Sequence, residues 1–148
     1  MDIKNIWQVD SGSYGVMFLR YDIIGISIPF SKRIYADVEN SIIGFYQIAR
    51  KNDVVLLRSG FDKIIAIGII AGNRPLLNKE FKDADGGLLH IRRIRWIRKT
   101  KRRFSARTLG SKTRVFTRVN APAIKNWIKR LKVSSQSLIR PLKRLSPI

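Results

Sequence analysis

The chain has 148 residues, the length of one domain, with 45% hydrophobic residues and a net charge of +20 from 30 Lys and Arg against 10 Asp and Glu. It has no Cys and a single His, His90, which excludes disulfides, zinc ribbons, thiol nucleophiles and multi-His metal centres. The N-terminus lacks a basic leader followed by an apolar stretch, and the longest apolar run, Ile64 to Ala71, is far short of the about 20 residues that cross a bilayer. A soluble, cytoplasmic protein is expected.

The pattern predicts the following elements in chain order. Ile3 to Val9 reads as a strand closed by the turn Ser11-Gly12-Ser13, and Ser13 is positioned to cap a short helix through Tyr14, Met17 and Phe18. Ile23 to Ile28 is a β-rich run ended by Pro29, and 29–36 reads as a loop. Asp37 offers an N-cap for a helix to about Arg50, with Ile42, Phe45, Tyr46 and Ala49 on one apolar face. Val54 to Arg58 and Ile64 to Ala71 form a hairpin, both arms apolar enough to be covered on each side. Gly68 marks a bulge or a close backbone approach.

Residues 72–87 read as an exposed loop. Leu88 to Ile97 is a strand, in which a bulge near Arg92-Arg93 would bring Leu89, Ile91, Ile94 and Trp96 to one face. Thr113 to Val119 alternates as a strand. Asn120 caps a last helix with Pro122 in its first turn and Ile124, Trp127, Ile128 and Leu131 as its buried stripe. The whole is an α+β domain over 1–133, a small mixed, barrel-like sheet flanked by two or three helices. Residues 134–148 form a basic tail or linker.

The charge is segregated along the chain. Residues 1–89 hold 11 basic and all 10 acidic residues, and residues 90–148 hold 19 basic residues and no acid. Within the second part, Arg92, Arg93, Arg95, Arg98, Lys99, Lys101, Arg102 and Arg103 place eight cations in twelve residues. Arg107, Lys112, Arg114 and Arg118 extend the run. Solvated faces usually mix signs, so a one-signed surface rich in planar guanidinium groups points to a polyanion, nucleic acid above all. An anionic membrane or an acidic protein is the lesser alternative.

No catalytic constellation accompanies this charge. Most carboxylates sit at turns and caps, where Asp serves the backbone, and Asp83 and Asp85 read as a solvated turn. His90 reads as a half-buried strand residue. No phosphate-cradling glycine loop or nucleophile elbow occurs. Neither an enzyme nor a cofactor is expected, although a magnesium-dependent nuclease at Asp83 and Asp85 stays a competing reading. Among the aromatics, Trp127, Phe45 and Trp7 read as core. Tyr14, Phe30, Tyr35, Phe61, Phe81 and Phe104 fall in turns or loops, and Trp96 leads into the arginine run.

Several segments, in their order, resemble the YTH/EVE branch of the PUA-like superfamily. They are Ile6-Trp7-Gln8-Val9 with Ser11-Gly12-Ser13-Tyr14, Asp22 to Ile26, Asn52-Asp53-Val54-Val55, Lys63 to Gly72, and His90-Ile91-Arg92-Arg93-Ile94-Arg95-Trp96. The likeness extends to the N-terminal DNA-recognition domains of McrB-type, modification-dependent restriction GTPases. It implies a barrel-like sheet whose pocket accepts one extruded, often methylated base. By position, the pocket would comprise Ser11, Ser13 and Tyr14 of the first exit turn, Phe30, Tyr35, Phe81 and Trp96. The basic run would grip phosphates while a base leaves the stack. The function implied is the specificity domain of a restriction or defence system, acting on DNA rather than RNA within a larger GTPase or nuclease assembly. A plain RNA- or DNA-binding module without a base pocket is the alternative.

Overall fold

The computed structural model describes residues 5–27, 36–82, 87–110 and 116–131. Within them seven strands form one mixed sheet. β1 (Ile6–Asp10) runs parallel to β3 (Val54–Ser59), which pairs antiparallel with β4 (Lys63–Ile70). β4 pairs with the long β6 (Leu88–Arg103), β6 with β2 (Ile23–Ile26) and β5 (Leu76–Lys82), and β1 with the short β7 (Phe116–Arg118). The strand order is β2-β6-β4-β3-β1-β7, with β5 beside β6. The sheet curls into the half-barrel expected for the fold class. Four helices flank it: α1 (Gly15–Tyr21), α2 (Ala36–Ile43), α3 (Ala106–Leu109) and α4 (Pro122–Arg130).

Two apolar cores result. One lies in the concave side, where Trp7, Phe18, Ile24, Phe45, Ile91, Ile94, Trp96 and Phe116 meet. The other lies outside, where α4 lays Ile124, Trp127 and Ile128 over Ile6, Leu56, Ile67 and Phe104. With both faces covered, β3 and β4 read as continuous apolar runs. Gly68 is required by packing: a Cβ there would fall 2.4 Å from Ile94 Cγ2 and 2.8 Å from Trp96 Cε3.

Several expectations are corrected. Residues 76–82, expected in a loop, form β5, whose polar sequence suits a strand paired on β6 that buries only Asn78 and Phe81. Leu89, Ile91, Ile94 and Trp96 do share one core, but without a bulge at Arg92-Arg93. The register to β2 is regular there, and the strand then exchanges β2 for β4 as its partner, so both parities meet apolar surroundings. The helix ending at Ile43 continues as a π-helical turn, Gly44–Ile48, closed by Ala49 N–H to the Gly44 carbonyl at 2.8 Å. The wider turn shifts the phase of the stripe: Phe45 and Ala49 stay buried, while Tyr46 faces out. Tyr14 rather than Ser13 precedes α1, and Ala121 rather than Asn120 precedes α4, neither with a side-chain cap. The helix α3, capped by Ser105 on Thr108 N–H, was not expected. Phe30, Tyr35, Lys112, Arg114, the Asp83–Asp85 turn and the tail 134–148 lie outside the described residues.

Candidate nucleic-acid interface

The arginines of β6 are of two kinds, and the sheet sorts them. Arg92 is fully buried. Its NH1 donates to the carbonyls of Phe45 and Ala49, both at 2.8 Å, and its NH2 to those of Gly72 at 3.3 Å and Asn73 at 3.5 Å. Burial lowers its pKa, opposed by Asp53. This guanidinium ties the end of the π-turn and the loop after β4 to the sheet; it is structural and does not reach a phosphate. Arg93 is half-buried, its Nε directed at the Asp22 carbonyl, and burial lowers its pKa as well. Arg95 is half-buried too.

Beyond Trp96 the strand changes character. The register between β4 and β6 shifts twice, at Ile67/Gly68 and at Ile64/Ala66. Each shift breaks strict alternation, so Arg98, Lys99, Lys101, Arg102 and Arg103 are all exposed while Ile97 and Thr100 keep partial cover. Ile94 N–H still donates to the Asp22 carbonyl at 2.9 Å, and residues 95–103 pair only with β4 among the described strands. Arg103 is held by Asp62 at 2.9 Å, in an exposed pair. Arg102 lies over the Phe104 ring, 4.9 Å from its centroid. Arg107 and Arg118 are exposed elsewhere, on α3 and β7.

Carboxylates are largely occupied by the fold. Asp53 accepts from Trp7 Nε1 at 3.0 Å and from Arg50 N–H at 2.9 Å, and Asp10 from Gly12 N–H at 3.2 Å. Arg58, outside the basic run, is a second buried guanidinium. It donates to Gly60, Phe61 and Gly110 carbonyls and to Gln8.

The expected base pocket fares differently residue by residue. Trp96 is packed in the concave core beneath α1, its Nε1 donating to the Phe18 carbonyl at 2.9 Å. Phe81 is buried edge-on against Tyr21, with centroids 5.2 Å apart. Neither ring presents a face to a base. Ser11 is buried in the exit turn of β1, where its N–H donates to the Arg58 carbonyl and its own carbonyl accepts from Tyr14 N–H, both at 2.8 Å. Ser13 is exposed, and Tyr14 is half-buried with its ring stacked on Phe18 at 5.9 Å. These three remain together at the mouth of the turn.

His90 is half-buried, hydrogen-bonded through Nδ1 to the Tyr46 hydroxyl, and burial lowers its pKa. Two exposed aromatics stand out: Tyr46 on the π-turn and Phe61, 64% exposed in the β3–β4 turn. Phe61 lies beside the basic end of β6, since Lys63 pairs with Arg103. Its position between Gly60 and Asp62 was the one signal available. The sequence assigns no binding role to Asn5, Asn120, Lys125 and Lys129, which with Arg118 line a cavity of about 270 Å³ beside α4. They come from three separate segments, and nothing in the linear pattern joins them.

Among the described residues no group of three or more His, Asp or Glu is arranged to hold a metal ion, and no helix is long and apolar enough to cross a membrane. No curated protein matches the chain. Among solved structures it is similar to the YTH domain of the MRB1 protein of Zygosaccharomyces rouxii, determined in complex with N6-methyladenosine RNA. The TM-score is 0.50 at 15% identity, over 91% of this chain and 88% of that one. At that identity the likeness is one of fold, and it agrees with the YTH-like half-barrel; a specific likeness to McrB-type domains is not part of it. A family model described as Domain of unknown function (DUF8426) matches residues 30–118, and the chain belongs to that family.

Proposed function

We propose that the chain is a nucleic-acid-binding module that holds a sugar–phosphate backbone along the distal half of β6. The observation that carries this reading is the stretch of β6 bearing Arg98, Lys99, Lys101 and Arg102, all exposed, which has no second strand partner among the described residues. Charged side chains on an edge strand also guard against edge-to-edge pairing, and a few lysines would serve that purpose. That protective role does not account for guanidinium groups making up half of these cations, nor for the absence of acid from residue 90 onward. The solved structure of similar fold contains a bound RNA, which supports the same class of partner.

The finer reading places one extruded base, methylated on an exocyclic amine, at the exit turn of β1 with Ser11, Ser13 and Tyr14. Phe30 and Tyr35 complete the pocket in this proposal. Trp96 and Phe81 are withdrawn from it because their rings are spent on the core. Phe61 is added as a stacking surface for a base adjoining the gripped phosphates. In this reading the polymer is DNA, and the module supplies specificity to a restriction or defence assembly.

The test is a binding panel of single-stranded and duplex DNA and RNA oligonucleotides, with and without methylated adenine or cytosine, at two salt concentrations. The proposal expects binding that weakens steeply with salt, and a preference for one methylated strand that Tyr14→Ala abolishes. Binding unaffected by methylation and by Tyr14→Ala removes the base pocket and leaves the backbone-binding module.

A further inference from the structure

We propose that the cavity between α4, β7 and the segment entering β1 is a second phosphate site, taking an internal phosphodiester of the strand gripped by β6. This inference rests on the nucleic-acid reading above. The cavity has a volume of about 270 Å³; among the described residues its lining is Arg118, Lys125, Lys129, Asn5 and Asn120 with the apolar Ile6 and Val119, and includes no carboxylate. Lys125 and Lys129 are four residues apart on α4, so they stand on one face and repel each other. Lys129 in the last turn suits the helix dipole, which explains one cation there but not the other two. Arg118 is held in place: its guanidinium sits 5.2 Å from the centroid of Trp7, whose Nε1 is fixed by Asp53. Three cations and two side-chain amides around one cavity match a phosphate, whose oxygens accept from both.

The sheet places this cavity within reach of the first site. β7 and β6 are separated by β1, β3 and β4. Four strand spacings of ~4.8 Å separate β7 from β6 by about 19 Å across the sheet, and the offset along the strands adds to that. The helix between them also carries the contact: Arg102 covers Phe104, and Phe104 packs edge-on against Trp127 of α4 at 5.3 Å. In this proposal the strand runs from Arg102 past α4 to Lys125 and Lys129.

The experiment uses a 12-nucleotide single strand with hydroxyls at both ends, which has internal phosphates only. Dissociation constants are measured from low to moderate salt for the wild type, Lys125→Gln/Lys129→Gln, a control pair Lys79→Gln/Lys82→Gln on β5, and Arg98→Gln/Lys99→Gln/Lys101→Gln. All four substituted lysines in the two pairs are exposed, and thermal unfolding checks that each variant folds. A single-strand phosphate contact contributes about 0.7 to the slope of log K against log salt, hence roughly 5-fold in affinity at ~0.1 M salt. The α4 pair is expected to lose about 10-fold or more and to flatten the slope by about 1.4, with the β5 pair close to wild type. Equal losses in the α4 and β5 pairs would reduce the effect to net charge and overturn the second site. An α4 pair that binds like wild type while the β6 variant is weakened overturns the second site alone. A β6 variant that binds like wild type overturns the nucleic-acid reading on which it rests.

Discussion

Trp96 donates its indole N–H to the carbonyl of Phe18 at 2.9 Å, which joins β6 to the first helix and seals the ring under it. A tryptophan in that state stabilises the fold and has no face to offer a base. Trp96→Ala is therefore expected to destabilise by about 3–5 kcal/mol, through a large cavity and an orphaned carbonyl. At temperatures where the variant stays folded, its oligonucleotide affinity should match wild type. Chemical denaturation and a binding isotherm on the same sample check both parts.

Arg92 gives the corresponding lesson for charge. Its guanidinium serves four backbone carbonyls in a buried position, so Arg92→Ala should cost about 3 kcal/mol or more. Arg92→Lys recovers little of this, because a single ammonium cannot reproduce the planar fork. A fall in melting temperature with an unchanged salt slope for nucleic acid is the expected pair of results.

The sequence made the fold largely legible where periodicity carried it. The apolar runs of β3 and β4, the close approach at Gly68 and the α4 stripe of Ile124, Trp127 and Ile128 all follow from burial. The site was less legible, because local charge density does not report burial. Arg92 and Arg98 look alike in the sequence, and only the change of strand partner after Arg93 and the two register shifts beyond Trp96 separate them. β5 escaped for a related reason: a strand that buries only Asn78 and Phe81 reads as a loop. The Tyr46 error came from a π-turn, which has no reliable signature in the chain.

Gly68→Ala tests the close packing of β4 on β6. The added methyl would meet Ile94 Cγ2 at 2.4 Å and the Arg95 carbonyl at 3.0 Å. Because one neighbour is backbone, relief requires the strands to part, and a loss of roughly 1–3 kcal/mol or more is expected. Thermal unfolding measures it.

Stability should also depend on pH through His90. Its pKa is lowered in the folded state by burial, so the unfolded chain binds protons more readily. The neutral-His contribution is fully present above the unfolded value of about 6.5, and it is lost as pH falls from there through the lower folded value. His90→Asn should flatten that part of the stability profile, as followed by denaturation between pH 5 and pH 8.

Phe61→Ala separates stacking from charge. The ring is 64% exposed, so its loss should leave stability within about 0.5 kcal/mol of wild type. If it stacks on a base, affinity for a single strand falls by about 1–3 kcal/mol with little change in salt dependence. Calorimetric titration alongside thermal unfolding distinguishes the two effects.

The most direct measurement is the slope of log K against log salt for a 12-nucleotide strand, in the wild type and in Arg98→Gln/Lys99→Gln/Lys101→Gln. A strand edge that grips phosphates predicts a wild-type slope well below zero that becomes shallower by about 2 in the variant, as three counterion-releasing contacts are removed. A variant whose slope and affinity equal those of the wild type would contradict it.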